Sequence, residues 1–271
     1  MIRTTREQPA GLRIWVALDE SPRSLAALTA AAALAEGLDA ELAGLFVEDV
    51  NLQHLFGLPF AREFSALTGA GRPLSQADVE RAWRHEAGIL QRQLVEAAGR
   101  QRLRWSFRVA RGRVLAEMET RAHAFDLVVL GKPIGTGVVA VTRATARVER
   151  SAQPSPGPVL VLFESVPASA SSLAMGAMLA RRNGAELVVL VSAASEDAYR
   201  AACTDARAAL KERGTDGRCV RLAALDGAQL VQATRREAAG CLVLADRERF
   251  LRQPGFERMV DEIECPVVLT R

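Results

Sequence analysis

The sequence predicts an α/β fold of two tandem, doubly wound parallel-sheet domains. Three observations predict it: a strand–helix–strand pattern from Arg13 to Asp49, a second copy of that pattern from Pro158 to Ala193, and short apolar runs that suit buried parallel strands. The stretches DAELAGLFV and GAELVVLVS align residue for residue at a spacing of about 145. Solenoid repeats run ~20–50 residues, so this is a duplicated domain. The expected division is 1–157 and 158–271.

In the first copy, Ile14 to Leu18 is too short for a helix and bulky enough for a buried parallel strand. Ser21 and Pro22 open a helix, a capping side chain followed by proline at the first helical position. The helix is expected over Leu25 to Ala35 with Gly37 ending it, and Glu41 to Val47 is the second strand. Elements of this length make a right-handed crossover. The connection from Val50 to Arg84 carries Leu52, Leu55, Phe56, Leu58, Phe60, Phe64 and Leu67. It reads as one or two short helices packed on the sheet edge or a partner, ahead of a flap over a ligand and, last, a membrane contact.

Ser75 and Asp78 start the next helix, with Val79, Trp83, Ala87, Leu90, Leu94 and Ala97 as its buried face and Gly99 as its end. Arg104 to Val109 alternates, which predicts a strand with Trp105, Phe107 and Val109 on a buried face. The arginines around it are read as protection of an edge strand rather than as a nucleic-acid patch. Val114 to His123 is the next helix. Asp126 to Leu130 is a buried strand that runs into the loop Gly131-Lys132-Pro133-Ile134-Gly135-Thr136-Gly137. A helix over Val138 to Ser151 and a proline-rich linker over Gln153 to Gly157 complete the copy.

The second copy repeats the series. Strands are expected at Val159–Phe163, Leu187–Val191, Arg218–Ala223, Cys241–Ala245 and Pro266–Thr270. Helices are expected at Ser171–Arg182, stopped by Gly184, then at Asp197–Arg213, Ala228–Glu237 and Phe256–Ile263.

Composition narrows the function. An apolar fraction of 49% with only 5% aromatic residues implies aliphatic cores, and a net charge of +3 does not call for nucleic acid. Cys203, Cys219, Cys241 and Cys265 have no C-x-x-C spacing and mostly fall in or beside apolar strands, where cysteine acts as a small hydrophobe. MIRTTREQPAG lacks the apolar core of a signal peptide, and no run approaches the ~18 apolar residues of a membrane span. A cytoplasmic protein is the expectation. His54, His85 and His123 are scattered, and neither a G-x-S-x-G elbow nor a G-x4-G-K-[ST] loop is present. No catalytic residue and no metal site are expected.

The order of elements, the VALDES turn, DLVVLG and CPVVLTR together resemble the universal stress protein family, over nearly the whole chain as two copies. The resemblance implies a five-stranded parallel sheet in the order 3-2-1-4-5 with helices on both faces. Many members bind ATP at the carboxyl ends of the strands, using a G-x2-G-x9-G-[ST] loop after the fourth strand. It therefore marks Asp19, Val47, Gly131, Lys132, Gly135 and Gly137 as nucleotide-binding candidates. Asp19 stands at the family's acidic position, Val47 at the position whose backbone meets adenine, and Lys132 could offer charge to phosphate. The first copy departs from the pattern: Gly135 comes one residue late, and Thr142 and Arg143 stand where Gly and Ser should be. Asp19 reads equally as a turn or cap residue, and the loop as a plain tight turn. In the second copy Glu164 replaces the aspartate, and ADRERFLRQPGFERM lacks the glycines. Asp246 and Glu248 there oppose an anion, so no nucleotide is expected.

Val159 to Phe163 resembles both the fifth strand closing the first copy and the first strand opening the second. A first strand is central and hard to omit. The segment is therefore assigned to the second copy, which leaves the first with four strands and an edge to be covered by the other copy or by a second chain. The resemblance implies a non-enzymatic, cytoplasmic stress-response or regulatory protein, with adenine nucleotide such as ATP confined to the first copy. A ligand-free interaction module and a weak nucleotide-hydrolysing enzyme are the alternatives. A homodimer and an unidentified protein partner are expected, and neither nucleic acid nor membrane.

Overall fold

A computed structural model describes residues 11–19, 21–49, 62–64, 71–73, 76–112, 114–121, 125–131 and 157–271. The first copy contributes β1 (Arg13–Ala17), α1 (Pro22–Leu38), β2 (Glu41–Asp49), β3 (Arg62–Phe64), β4 (Gly71–Pro73), α2 (Gln76–Arg100), β5 (Trp105–Gly112), α3 (Val114–Arg121) and β6 (Leu127–Leu130). The second contributes β7 (Val159–Phe163), α4 (Ala170–Asn183), β8 (Leu187–Ser192), α5 (Glu196–Lys211), β9 (Arg218–Leu222), α6 (Gly227–Arg236), β10 (Cys241–Leu244), α7 (Arg247–Arg252), α8 (Phe256–Glu262) and β11 (Val267–Thr270).

Nine strands form one sheet in the order β5-β2-β1-β6-β11-β10-β7-β8-β9. The right half of that order, read from β9 to β11, is the 3-2-1-4-5 arrangement of the second copy, with β7 at its centre between β8 and β10. Among the described residues, the left half is the same arrangement without a fifth strand. Every neighbouring pair is parallel except β6 and β11, which are antiparallel with Val267 opposite Leu130 and Thr270 opposite Leu127. The single fifth strand thus serves both copies, and the edge that the first copy would expose is covered from within the chain.

Strand side chains alternate between two cores. Ile14, Val16, Leu42, Phe46, Val161 and Val189 pack under α1, α2, α4 and α5, while Trp15, Leu45, Val128, Leu160 and Leu244 pack under α3, α6, α7 and α8. Both layers run across the junction. Glu36 of α1 pairs with Arg182 of α4. Arg23 donates to the carbonyls of Asp261 (3.1 Å) and Ile263 (2.8 Å), where a cation complements the carboxyl end of α8. Arg247, 2% exposed, donates to the Phe125 carbonyl at 2.7 Å.

Several expectations need correction. The first helix does not stop at Gly37. It runs to Leu38, and Asp39 takes the left-handed cap conformation (φ 50°) with its N–H bonded to the Ala35 carbonyl. The second helix likewise passes through Gly99. Most of the connection between Val50 and α2, read as one or two short helices or a flap, lies outside the described residues; its described part is an antiparallel pair, β3 with β4. The segment Arg247–Arg252, a loop by the family's pattern, is a helix. Trp105 and Val109 are not buried but 41% and 49% exposed; only Phe107 of that face reaches the core. The helix expected over 138–151 and most of the linker lie outside the described residues. No helix among the described residues is long and apolar enough to cross a membrane.

Candidate functional site

In an open α/β sheet the ligand crevice lies beyond the carboxyl ends of the strands, where the winding reverses. In the first copy that point falls between β1 and β6. Asp19 follows β1, Gly131 follows β6, and Val47 lies near the end of β2, so the fold brings these three candidates to one rim. Lys132, Gly135 and Gly137 lie outside the described residues.

Asp19 is the keystone of a turn. Its Oδ1 accepts from the Ser21 N–H at 2.9 Å, and its own N–H donates to Ser24 Oγ at 2.9 Å. Ser21 Oγ in turn accepts from the Ser24 N–H at 3.1 Å, capping α1. Gly131 answers a packing need: a Cβ there would stand 2.3 Å from the Arg23 carbonyl oxygen and 2.4 Å from the Ala27 Cβ. Its missing side chain lets β6 run against the first turn of α1. Val47 is 4% exposed and belongs to the core beneath.

The second copy repeats the turn and then fills the crevice. The Glu164 N–H donates to Ser169 Oγ at 3.0 Å, matching Asp19 and Ser24. Asp246 adopts a left-handed conformation (φ 54°) and caps α7 by accepting from the Arg249 N–H at 3.1 Å. That cap swings the Arg249 side chain back over the strand ends. Its two terminal nitrogens then meet the two Glu164 oxygens at 2.7 and 2.8 Å, a bidentate pair. Glu164 raises the Arg249 pKa further above its ordinary range. The cleft left over, lined by Leu162, Ala168, Ser169, Ala245 and Phe250 as well as this pair, holds about 50 Å³. Small-molecule sites are usually ~300–1,000 Å³, so the space suits water and not a nucleotide. The acidic pair expected to repel phosphate acts differently: Asp246 builds the helix that delivers the blocking arginine. An Asp three residues before Arg249 was the signal for that cap, and it was legible in the sequence.

Among the described residues there is no cluster of three or more histidine, cysteine or acidic groups able to hold a metal. The four cysteines are free thiols. Burial pushes the Cys241 thiol well above its usual range, and the Cys265 thiol up to about 12.

The architecture matches solved structures. A universal stress protein from Archaeoglobus fulgidus DSM 4304 superposes with a TM-score of 0.56 at 10% identity, covering 96% of this chain and 96% of that one. A putative universal stress protein from Pseudomonas aeruginosa UCBPP-PA14 gives 0.50 at 13% identity, covering 96% and 93%. No family model matches the sequence, and no curated protein matches it. The chain has the fold of tandem-length universal stress proteins.

Proposed function

We propose that this chain is a non-enzymatic regulatory protein of the tandem universal stress type, with a single small-molecule position, for an adenine nucleotide, at the rim of the first copy. What supports the reading is the asymmetry between two otherwise equivalent crevices. The Asp19 turn and the Glu164 turn are built alike, yet among the described residues an arginine crosses only the Glu164 crevice and no cation pairs with Asp19. One position has been given up to an internal ion pair, which leaves the other as the place where a ligand can act. The effect would be a population shift: nucleotide at the rim beside Asp19 favours one state and so changes a surface that a partner reads.

Thermal unfolding with AMP, ADP and ATP tests this. Ligand at ten times its dissociation constant adds about 1.4 kcal/mol, a rise of roughly 3 °C. Asp19→Ala should remove the rise and Arg249→Ala should leave it. A flat response to millimolar nucleotide overturns the nucleotide reading in favour of a ligand-free interaction module.

A further inference from the structure

The sheet ends in two edge strands, β5 and β9, the equivalent third strands of the two copies. They are finished differently. On β9, Arg218 meets Glu186 and Glu237 at 2.6 Å each, and Arg221 meets Glu196 at 3.1 Å and lies over the Tyr199 ring. Its charges are neutralised within the chain. β5 is longer, eight residues against five. Arg111 there pairs with Glu48, and Arg104 hydrogen-bonds the Asp39 carbonyl at 3.4 Å and lies near enough to Glu41 to help hold its carboxyl ionised. Arg102 and Arg108 are exposed and have no carboxylate partner among the described residues.

The backbone adds a second feature. The Leu42 N–H donates to the Arg104 carbonyl. Because alternate residues of an edge strand face its one neighbour, the N–H and C=O groups of Trp105, Phe107, Val109 and Arg111 point away from β2. Among the described residues, β5 pairs only with β2. The side chains of Trp105 and Val109 stand exposed on the α2 side of this edge, while Arg108 stands on the other side. A strand laid beside β5 would find apolar surface on one face and unmatched positive charge on the other.

We propose that β5 is a docking edge for an extended acidic peptide segment of a partner protein, added as a tenth strand. The segment alternates apolar residues, which cover Trp105 and Val109, with carboxylates, which meet Arg108 and, at its end, Arg102 and Arg104. Strand addition supplies main-chain hydrogen bonds for affinity and alternate side chains for specificity. Single-stranded nucleic acid could use the same arginines and stack on Trp105, but it has no use for the outward row of backbone donors and acceptors.

The test uses the full chain with short fluorescein-labelled peptides read by anisotropy, in low and high salt. An alternating Glu/Val peptide should saturate the protein, bind about tenfold or more tightly than its Lys/Val counterpart, and weaken as salt rises. The double variant Arg102→Glu, Arg108→Glu should invert that order without changing the melting temperature, since both positions are exposed. A Glu/Val peptide N-methylated at alternate residues should not bind, because it cannot form the ladder. The emission of Trp105 should shift on binding, as Trp15 and Trp83 are buried. The proposal is overturned by no saturation at millimolar peptide, by equal binding of the Glu/Val and Lys/Val peptides, by undiminished binding of the N-methylated peptide, or by preference for labelled oligo-dT. None of these results bears on nucleotide binding at Asp19.

Discussion

Leu269 sits in the one strand that both copies share. It is fully buried, opposite Val128 of β6 and beside Leu244 of β10. Truncating such a leucine to alanine costs about 2–5 kcal/mol, the lost transfer energy plus the cavity left behind. How that cost appears on heating depends on whether the copies melt together. Unfolding entropy scales at ~2.1 cal/mol/K per residue, so the whole 271-residue chain changes by roughly 0.57 kcal/mol/K and residues 158–271 alone by roughly 0.24. If the sheet is one cooperative unit, Leu269→Ala lowers a single transition by about 4–9 °C, with calorimetric and van't Hoff enthalpies in agreement. If the copies melt separately, one transition falls by about 8–21 °C and the other stays put. Differential scanning calorimetry of the two proteins separates the cases. The antiparallel ladder, the Glu36–Arg182 pair and the Arg23 and Arg247 bonds across the junction favour the first. Two transitions, only one of them moved, would refute the reasoning.

Gly131→Ala should destabilise by about 1–3 kcal/mol or more, because its Cβ meets the backbone oxygen of Arg23, which cannot swing aside, and chemical denaturation reads the loss. Glu237→Gln tests an electrostatic contribution. The Arg218 guanidinium, hydrogen-bonded to Glu237, holds that carboxyl below its ordinary 4.5. A lowered folded-state pKa gives stability that is present above pH 4.5 and lost as pH falls through the folded value. Urea midpoints should therefore drop less steeply in the variant between neutral and strongly acidic pH. Equal slopes would show that Glu237 does not contribute.

Much of this fold was legible because each copy states it locally. The Ser21–Pro22 start, the all-apolar runs of β1, β6, β7 and β8, and the spacing of about 145 fix element types and order without any knowledge of contacts. The problem of one strand for two places was visible as well, since Val159–Phe163 could not serve both copies and a first strand cannot be spared. The cover of the vacant edge was narrowed to the other copy or a second chain, but strand pairing is chosen by backbone groups that every sequence carries, so β11 could not be singled out. The alternation at β5 correctly told which residues share a face. It could not tell that α2 covers Phe107 and leaves Trp105 and Val109 in solvent, because burial at a sheet edge depends on where the covering helix lies. The candidate site was half legible. Asp19, Val47 and Gly131 do meet at one rim, yet Gly131 serves the approach of α1, and the pairing of Glu164 with Arg249 needed the turn that Asp246 makes.

The antiparallel ladder between β6 and β11 has a geometric consequence. Since strands on either side of it run in opposite directions, the rim bearing Asp19 and the rim bearing Glu164 open toward opposite poles of the molecule. A duplicated protein with parallel copies would present both mouths to the same visitor. Here the two face away from each other, so closing one with an arginine does not crowd the other. Each pole shows the strand ends of one copy beside the strand starts of the other, so among the described residues what tells front from back is the Glu164–Arg249 pair that stands at one of them.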